Sequence, residues 1–196
     1  MPRIVSILPA ATEILAQLDA TDMLVGRSHE CDWPIKKVAD IEILTKPNFT
    51  TSQSSRDIHE HVLAQTGPDL FLLDLEKLGY LAPDLILTQS ACHVCAVDVN
   101  TVNRAVDFIQ QKHGFRPKVL AFAPQSIDDV FLDISVIATS IDRQHKANEF
   151  ISTLDQRYKN VTAKAQKVIL KKKKKPRVAL IEWLDPPMSA GNWVPE

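Results

Sequence analysis

Short apolar runs and one-striped helices alternate along the first part of the chain, and this alternation limits the fold more than any other feature. Arg3 to Ile7 (RIVSI) reads as a buried strand. PAATEILAQLDA follows and places Ala11, Ile14, Leu15 and Leu18 at i, i+3, i+4 and i+7, the single apolar stripe of a packed helix. Leu24 to Gly26, Ile41 to Leu44, Leu70 to Leu73, Leu85 to Thr88 and Lys118 to Phe122 read as further strands. Helices are expected from the Ser54/Asp57 capping pair to Gln65, over Asp74 to Tyr80, and from Asn100 to the glycine stop at His113-Gly114. Strand and helix in turn, with short connections, give an α/β fold: a Rossmann-like parallel sheet with helices on both faces.

From Ser126 the pattern changes. Ser126 and Asp129 make a second capping pair before the stripe Ile127, Val130, Phe131, Ile134, Ile137 and Ala138. Ala147, Ile151, Leu154, Tyr158, Val161, Ala165 and Val168 then alternate at spacings of four and three, a heptad seam. The seam predicts one helix from about Arg143 to Leu170, roughly 40 Å long at 1.5 Å per residue, packed on its own domain. The run Lys171 to Lys175 before Pro176 reads as a solvated linker, because like charges in a block repel and stay extended. RVALIEWL (177–184) starts another strand with nothing yet to pair with. Three units follow: an N-terminal α/β ligand-binding lobe over 1–125, an interlobe helix and Lys-rich linker over 126–175, and the start of a second lobe over 176–196, of which only the first strand is present.

Several function classes drop out. The first strand-to-helix turn, Ser6 to Glu13, has no glycine, and the chain has five in all, so no dinucleotide or phosphate-loop fingerprint exists. No G-x-S-x-G elbow is present. Net charge is −1, which offers nucleic acid no overall attraction. No apolar stretch reaches the roughly 18 residues of a membrane span. Three cysteines do not make a disulfide framework. The N-terminus runs straight into a strand with no export signal, so the chain as written is expected to be cytoplasmic, with reduced thiols.

Ligands in open α/β sheets bind beyond the carboxyl ends of the strands. Four unusual segments are expected on that rim: Pro9 and Ala10 after the first strand; His29, Glu30, Cys31, Asp32 and Trp33 after the second; Gln89, Cys92, His93 and Cys95 after DLILT; and Glu182, Trp183 and Trp193 around EWLDPP. Cys92 and Cys95, at i and i+3, can meet one ion, and Cys31 with a histidine would complete a set suited to zinc. Four readings stay open: a metal site on Cys31, Cys92 and Cys95 (zinc or iron), a Cys92–Cys95 redox pair, a pocket for a corrinoid or related chelate such as haem, and buried cysteines acting as small hydrophobes. The three tryptophans all fall in rim segments, where a flat face suits a macrocycle. No residue stands at a recognised catalytic spacing from the cysteines, so binding without catalysis is the expectation.

RIVSILPAATEILAQLDATDMLVGRSHECDWP, PDLILTQSACHVCAV and PRVALIEWLDPPMSAGNWVPE together resemble the cobalamin and iron-siderophore substrate-binding superfamily of ABC importers. More narrowly, they are similar to its vitamin B12-binding-protein-like members that carry HECD and CxVCAV segments. The resemblance implies two Rossmann-like lobes joined by a long rigid helix, a metal-chelate ligand such as cobalamin in the cleft between them, and an ABC importer permease as partner. It also implies a periplasmic or exported setting, as in importer-serving members, whereas this chain as written carries no export signal.

Overall fold

The computed structural model describes residues 1–49, 54–64, 70–90, 97, 99–172 and 175–189. Five strands form one parallel sheet: β1 (Ile4–Ser6), β2 (Leu24–Arg27), β3 (Glu42–Ile43), β6 (Leu85–Gln89) and β7 (Lys118–Phe122), in the order β3-β2-β1-β6-β7. Between β3 and β6 the chain makes β4 (Thr45–Pro47) and β5 (Phe71–Leu73), which pair antiparallel to each other outside that sheet. The expected strand at 70–73 is thus present, but in a small ribbon beside the sheet's rim.

The centre of the sheet, β1 and β6, is buried on both faces, and its successive side chains point into opposite cores. Ile4, Leu85 and Leu87 face one core with α1 (Pro9–Gln17), α6 (Ile127–Ser140) and the start of α7 (Gln144–Lys172). Val5, Ile7 and Ile86 face the other with α4 (Leu75–Leu81) and α5 (Val99–His113). The short α2 (Ile35–Val38) and α3 (Ser55–Ala64) complete the helices. A fully buried Ile such as Ile86 contributes about 1.5–3 kcal/mol by leaving water, which is why these runs read so plainly as strands.

Helix boundaries follow their caps. Ser54 Oγ lies 2.7 Å from Asp57 Oδ2, and the Asp57 N–H donates back to Ser54 Oγ at 3.2 Å, closing the capping pair that opens α3. Asp74 accepts from the Lys77 N–H and Ser126 from the Asp129 N–H. Gly114, at φ 77°, ends α5 in the left-handed region.

The heptad seam divides in two. Ala147 is buried, and Ile151 and Leu154 pack on the core, whereas Tyr158, Val161 and Val168 are more than half exposed. The reason is length: α7 has 29 residues and its neighbour α6 has 14, so about 20 Å of α7 runs past its partner at 1.5 Å per residue. The helix is as long as expected, but only its first part packs on the lobe. Beyond it, β8 (Ile181–Leu184) finds its partner in β9 (Pro187–Ser189), as a two-stranded antiparallel hairpin.

Candidate functional site

The chain runs β1, β2, β3 toward one sheet edge, then returns through β6 and β7 toward the other. The order therefore reverses between β1 and β6, and loops leaving those strands diverge there to open a crevice. A pocket of about 170 Å³ lies at this point, lined by Ile7, Pro9, Ser28, His29, Glu30, Phe71 and Val97. Ile7 and Pro9 follow β1, Ser28 to Glu30 follow β2, Val97 closes the segment after β6, and Phe71 comes from the β4–β5 ribbon.

The loop after β2 is held from below. Arg27, 8% exposed, donates from Nε to the Val38 carbonyl (2.9 Å) and from an Nη to the carbonyls of Ser28 and Cys31 (both 3.2 Å). Cys31 is 1% exposed, and its Sγ lies 3.6 Å from the Ser6 carbonyl. Burial pushes the Cys31 thiol above its ordinary value, against smaller opposing effects from Thr12, Ser28, Arg27 and Ser6. Cys31 is therefore a protonated buried anchor that ties the loop to β1.

His29 sits above this anchor. Its backbone N–H donates to Thr45 Oγ1 at 3.0 Å, and its Nδ1 lies 2.6 Å from the same oxygen. Thr45 Oγ1 in turn donates to Ser28 Oγ at 3.1 Å, and the Glu30 N–H also donates to Ser28 Oγ at 3.1 Å. The His29 ring is tilted against Phe71 at 5.7 Å between centroids, Phe71 meets Phe49 at 6.2 Å, and Phe49 meets His61 of α3 at 5.8 Å. His61 is thus half-buried on a ring chain leading back to the pocket.

The residues expected on the rim separate into groups. Pro9, His29 and Glu30 line the pocket. Ala10, Asp32 and Trp33 are exposed beside it, with Trp33 at 55%. Gln89 is buried at the carboxyl end of β6. Glu182 and Trp183 lie on the β8–β9 hairpin, where the Trp183 indole N–H reaches the carbonyls of Ser55 (3.2 Å) and Asp185 (3.0 Å). Arg56 grips Asp185 through two bonds of 3.2 and 2.5 Å, so this hairpin is seated on the first turn of α3. Cys92, His93, Cys95 and Trp193 lie outside the described residues. Among the described residues, no group of three or more His, Cys, Asp or Glu side chains could hold a metal ion, and no helix is long and apolar enough to cross a membrane.

Ser28, Thr45, Phe71 and Arg27 escape a reading of the sequence. An arginine and a serine ending a buried strand (VGRS) are the one local signal. Thr45 and Phe71 reach the site only through the β4–β5 pairing.

The sequence profile of the family described as periplasmic binding protein matches residues 4–194. No curated protein sequence matches the chain significantly. Among solved structures, an ABC transporter substrate-binding protein from Listeria monocytogenes EGD-e is 22% identical with a TM-score of 0.54, over 92% of this chain and 54% of that one. The periplasmic vitamin B12 binding protein BtuF of Vibrio cholerae is 18% identical at a TM-score of 0.56, over 84% of this chain and 51% of that one. A periplasmic heme binding protein from Pseudomonas aeruginosa is 15% identical at a TM-score of 0.63, over 92% of this chain and 53% of that one. The chain thus spans about half the length of these solved structures. With a reversed parallel sheet, a long helix after it and a profile match over almost its whole length, the chain belongs to the periplasmic binding protein family.

Proposed function

We propose that this chain binds a metal-chelate ligand, a corrinoid or a related tetrapyrrole such as haem, and hands it on unchanged to an ABC importer permease. One observation carries the reading: a largely apolar pocket, with one imidazole among its described lining residues, lies at the β1/β6 reversal. At about 170 Å³ it is smaller than the roughly 300–1,000 Å³ of self-sufficient small-molecule sites. It suits one face of a flat ligand, the other face being covered by a second lobe of which 176–196 forms the beginning. On this reading 1–125 carries the site and 126–175 joins the lobes. That solved relatives include vitamin B12- and heme-binding proteins supports the ligand class.

Cys31 serves as an anchor in this reading and not as a zinc or iron ligand, since its protonated sulfur lies beneath the loop. Cys92, His93, Cys95 and Trp193 are further candidate contacts for that ligand by residue type.

The test is equilibrium dialysis of the purified chain against hydroxocobalamin and, separately, hemin. The expected result is retention of one chelate at one per chain, recovered unaltered on unfolding. Retention of neither, or chemical conversion of the bound chelate, would contradict the reading.

A further inference from the structure

Charge is divided unevenly along the chain. No acidic residue stands between Asp155 and Glu182, and residues 156–181 carry ten basic ones, from Arg157 to Arg177. Taking those ten from the net charge of −1 leaves −11 on the rest of the chain. The basic block occupies the far part of α7 and the residues directly after it. Of its described side chains only Lys159 meets an acid, Asp155 at 2.5 Å, one turn back.

The same part of α7 carries the exposed half of the apolar seam. Tyr158, Val161 and Val168 are 53%, 59% and 53% exposed, and Ala165 between them is exposed too. At about 100° per residue these four fall within about 80° of the helix circumference. Arg157, Lys164 and Lys171, spaced by seven, make an exposed row along one border of that sector. A narrow apolar stripe with a basic border, on a helix not apolar enough to cross a bilayer, is the pattern of a helix that lies in the plane of a membrane surface. Long Lys and Arg stems let the charges reach headgroups while the stripe beside them enters the acyl boundary.

Other occupants fit less well. A second α7 laid on the seam would set this row against its own copy when antiparallel, and against Thr162 and Ile169 when parallel, so neither arrangement gives it an acid. A polyanion such as RNA would take the charges and leave the stripe in water. We infer that the far part of α7 is a docking surface for an anionic lipid bilayer, with Tyr158, Val161 and Val168 entering the acyl boundary and Arg157, Lys164, Lys171 and the lysines that follow meeting the headgroups. The acidic remainder of the chain is repelled by the same surface, so the lobe is held away from the membrane on which its helix docks. This surface is independent of the pocket and of what the pocket binds.

The test floats the full chain with vesicles of phosphatidylcholine and phosphatidylglycerol, and separately with vesicles of phosphatidylcholine alone. The chain should float with the mixed vesicles only, and about 1 M salt, where the Debye length is about 3 Å, should release it. Each basic residue at an anionic surface strengthens binding by about 5-fold, so Arg157→Gln, Lys164→Gln and Lys171→Gln together should weaken it by about 100-fold. Val161→Ser with Val168→Ser keeps every charge and should weaken it by about 10-fold. Both variants should keep the wild-type far-UV circular dichroism, since all five side chains are exposed. Flotation with neither vesicle, or equally with both, would overturn the inference. So would a serine pair that floats as well as the wild type, because charge alone would then bind any polyanion. Self-association in sedimentation velocity that the serine pair abolishes, without flotation, would overturn it in favour of a second copy on the stripe.

Discussion

Replacing Thr45 with Val removes the hydroxyl on which the His29 loop is hung and keeps almost the same shape. Thr45 is 4% exposed, so the new methyl creates no cavity and no clash. Two groups of His29 lose their partner: the backbone N–H at 3.0 Å and the ring Nδ1 at 2.6 Å. Ser28 Oγ keeps the Glu30 N–H. Each buried group left unpaired costs about 1–3 kcal/mol, so the substitution should destabilise by about 2–6 kcal/mol. For a chain of this size each kcal/mol lowers the midpoint by about 2–4 °C. Urea unfolding followed by far-UV circular dichroism reads the change as a lower midpoint at unchanged slope. Thr45→Ser, which keeps the hydroxyl, should stay within about 1 kcal/mol of the wild type. A Val variant within about 0.5 kcal/mol of wild type, or a Ser variant as weak as Val, would refute the role given to this oxygen.

Three further outcomes follow from the structure. Cys31 should resist iodoacetamide at pH 8 in the folded protein and react in urea, because burial raises its pKa and only the thiolate attacks; peptide mass mapping decides, and rapid native labelling would contradict the buried anchor. Ile137→Ala should cost about 2–5 kcal/mol, whereas Val161→Ala on the exposed part of α7 should change stability by less than about 0.5 kcal/mol, both read by urea unfolding; equal costs would mean that the far part of α7 is covered. Arg56→Ala should leave global stability within about 1 kcal/mol, since the pair with Asp185 is exposed, yet speed amide exchange in the β8–β9 hairpin; unchanged exchange would show that Trp183 alone seats it.

The sheet was legible because its signals are local. The central strands β1 and β6 are buried on both faces, so each reads as a short, mostly apolar run. The capping pairs Ser54/Asp57 and Ser126/Asp129, and Gly114 after α5, fixed helix ends to within a residue or two. The heptad seam was legible as a helix but not as a partly exposed one, since a repeat cannot say how long its partner is. Leu70 to Leu73 was readable as a strand, but its pairing with Thr45 to Pro47 depends on contacts far apart in sequence. That pairing brings Thr45 and Phe71 to His29, so the supports of the pocket were invisible while His29 and Glu30 themselves were not. Cys31 was readable as a candidate donor by residue type alone. Only its depth under the loop, with Sγ against the Ser6 carbonyl, separates an anchor from a ligand.

The central claim, that the pocket at the β1/β6 reversal receives a metal chelate, is tested most directly by amide shift mapping of the ¹⁵N-labelled chain with hydroxocobalamin and with hemin. One chelate should produce saturable shifts or broadening concentrated at Ile7, Ser28, His29, Glu30, Phe71 and Val97, with the far half of α7 unmoved. Saturable effects confined elsewhere, or none with either chelate, would contradict it.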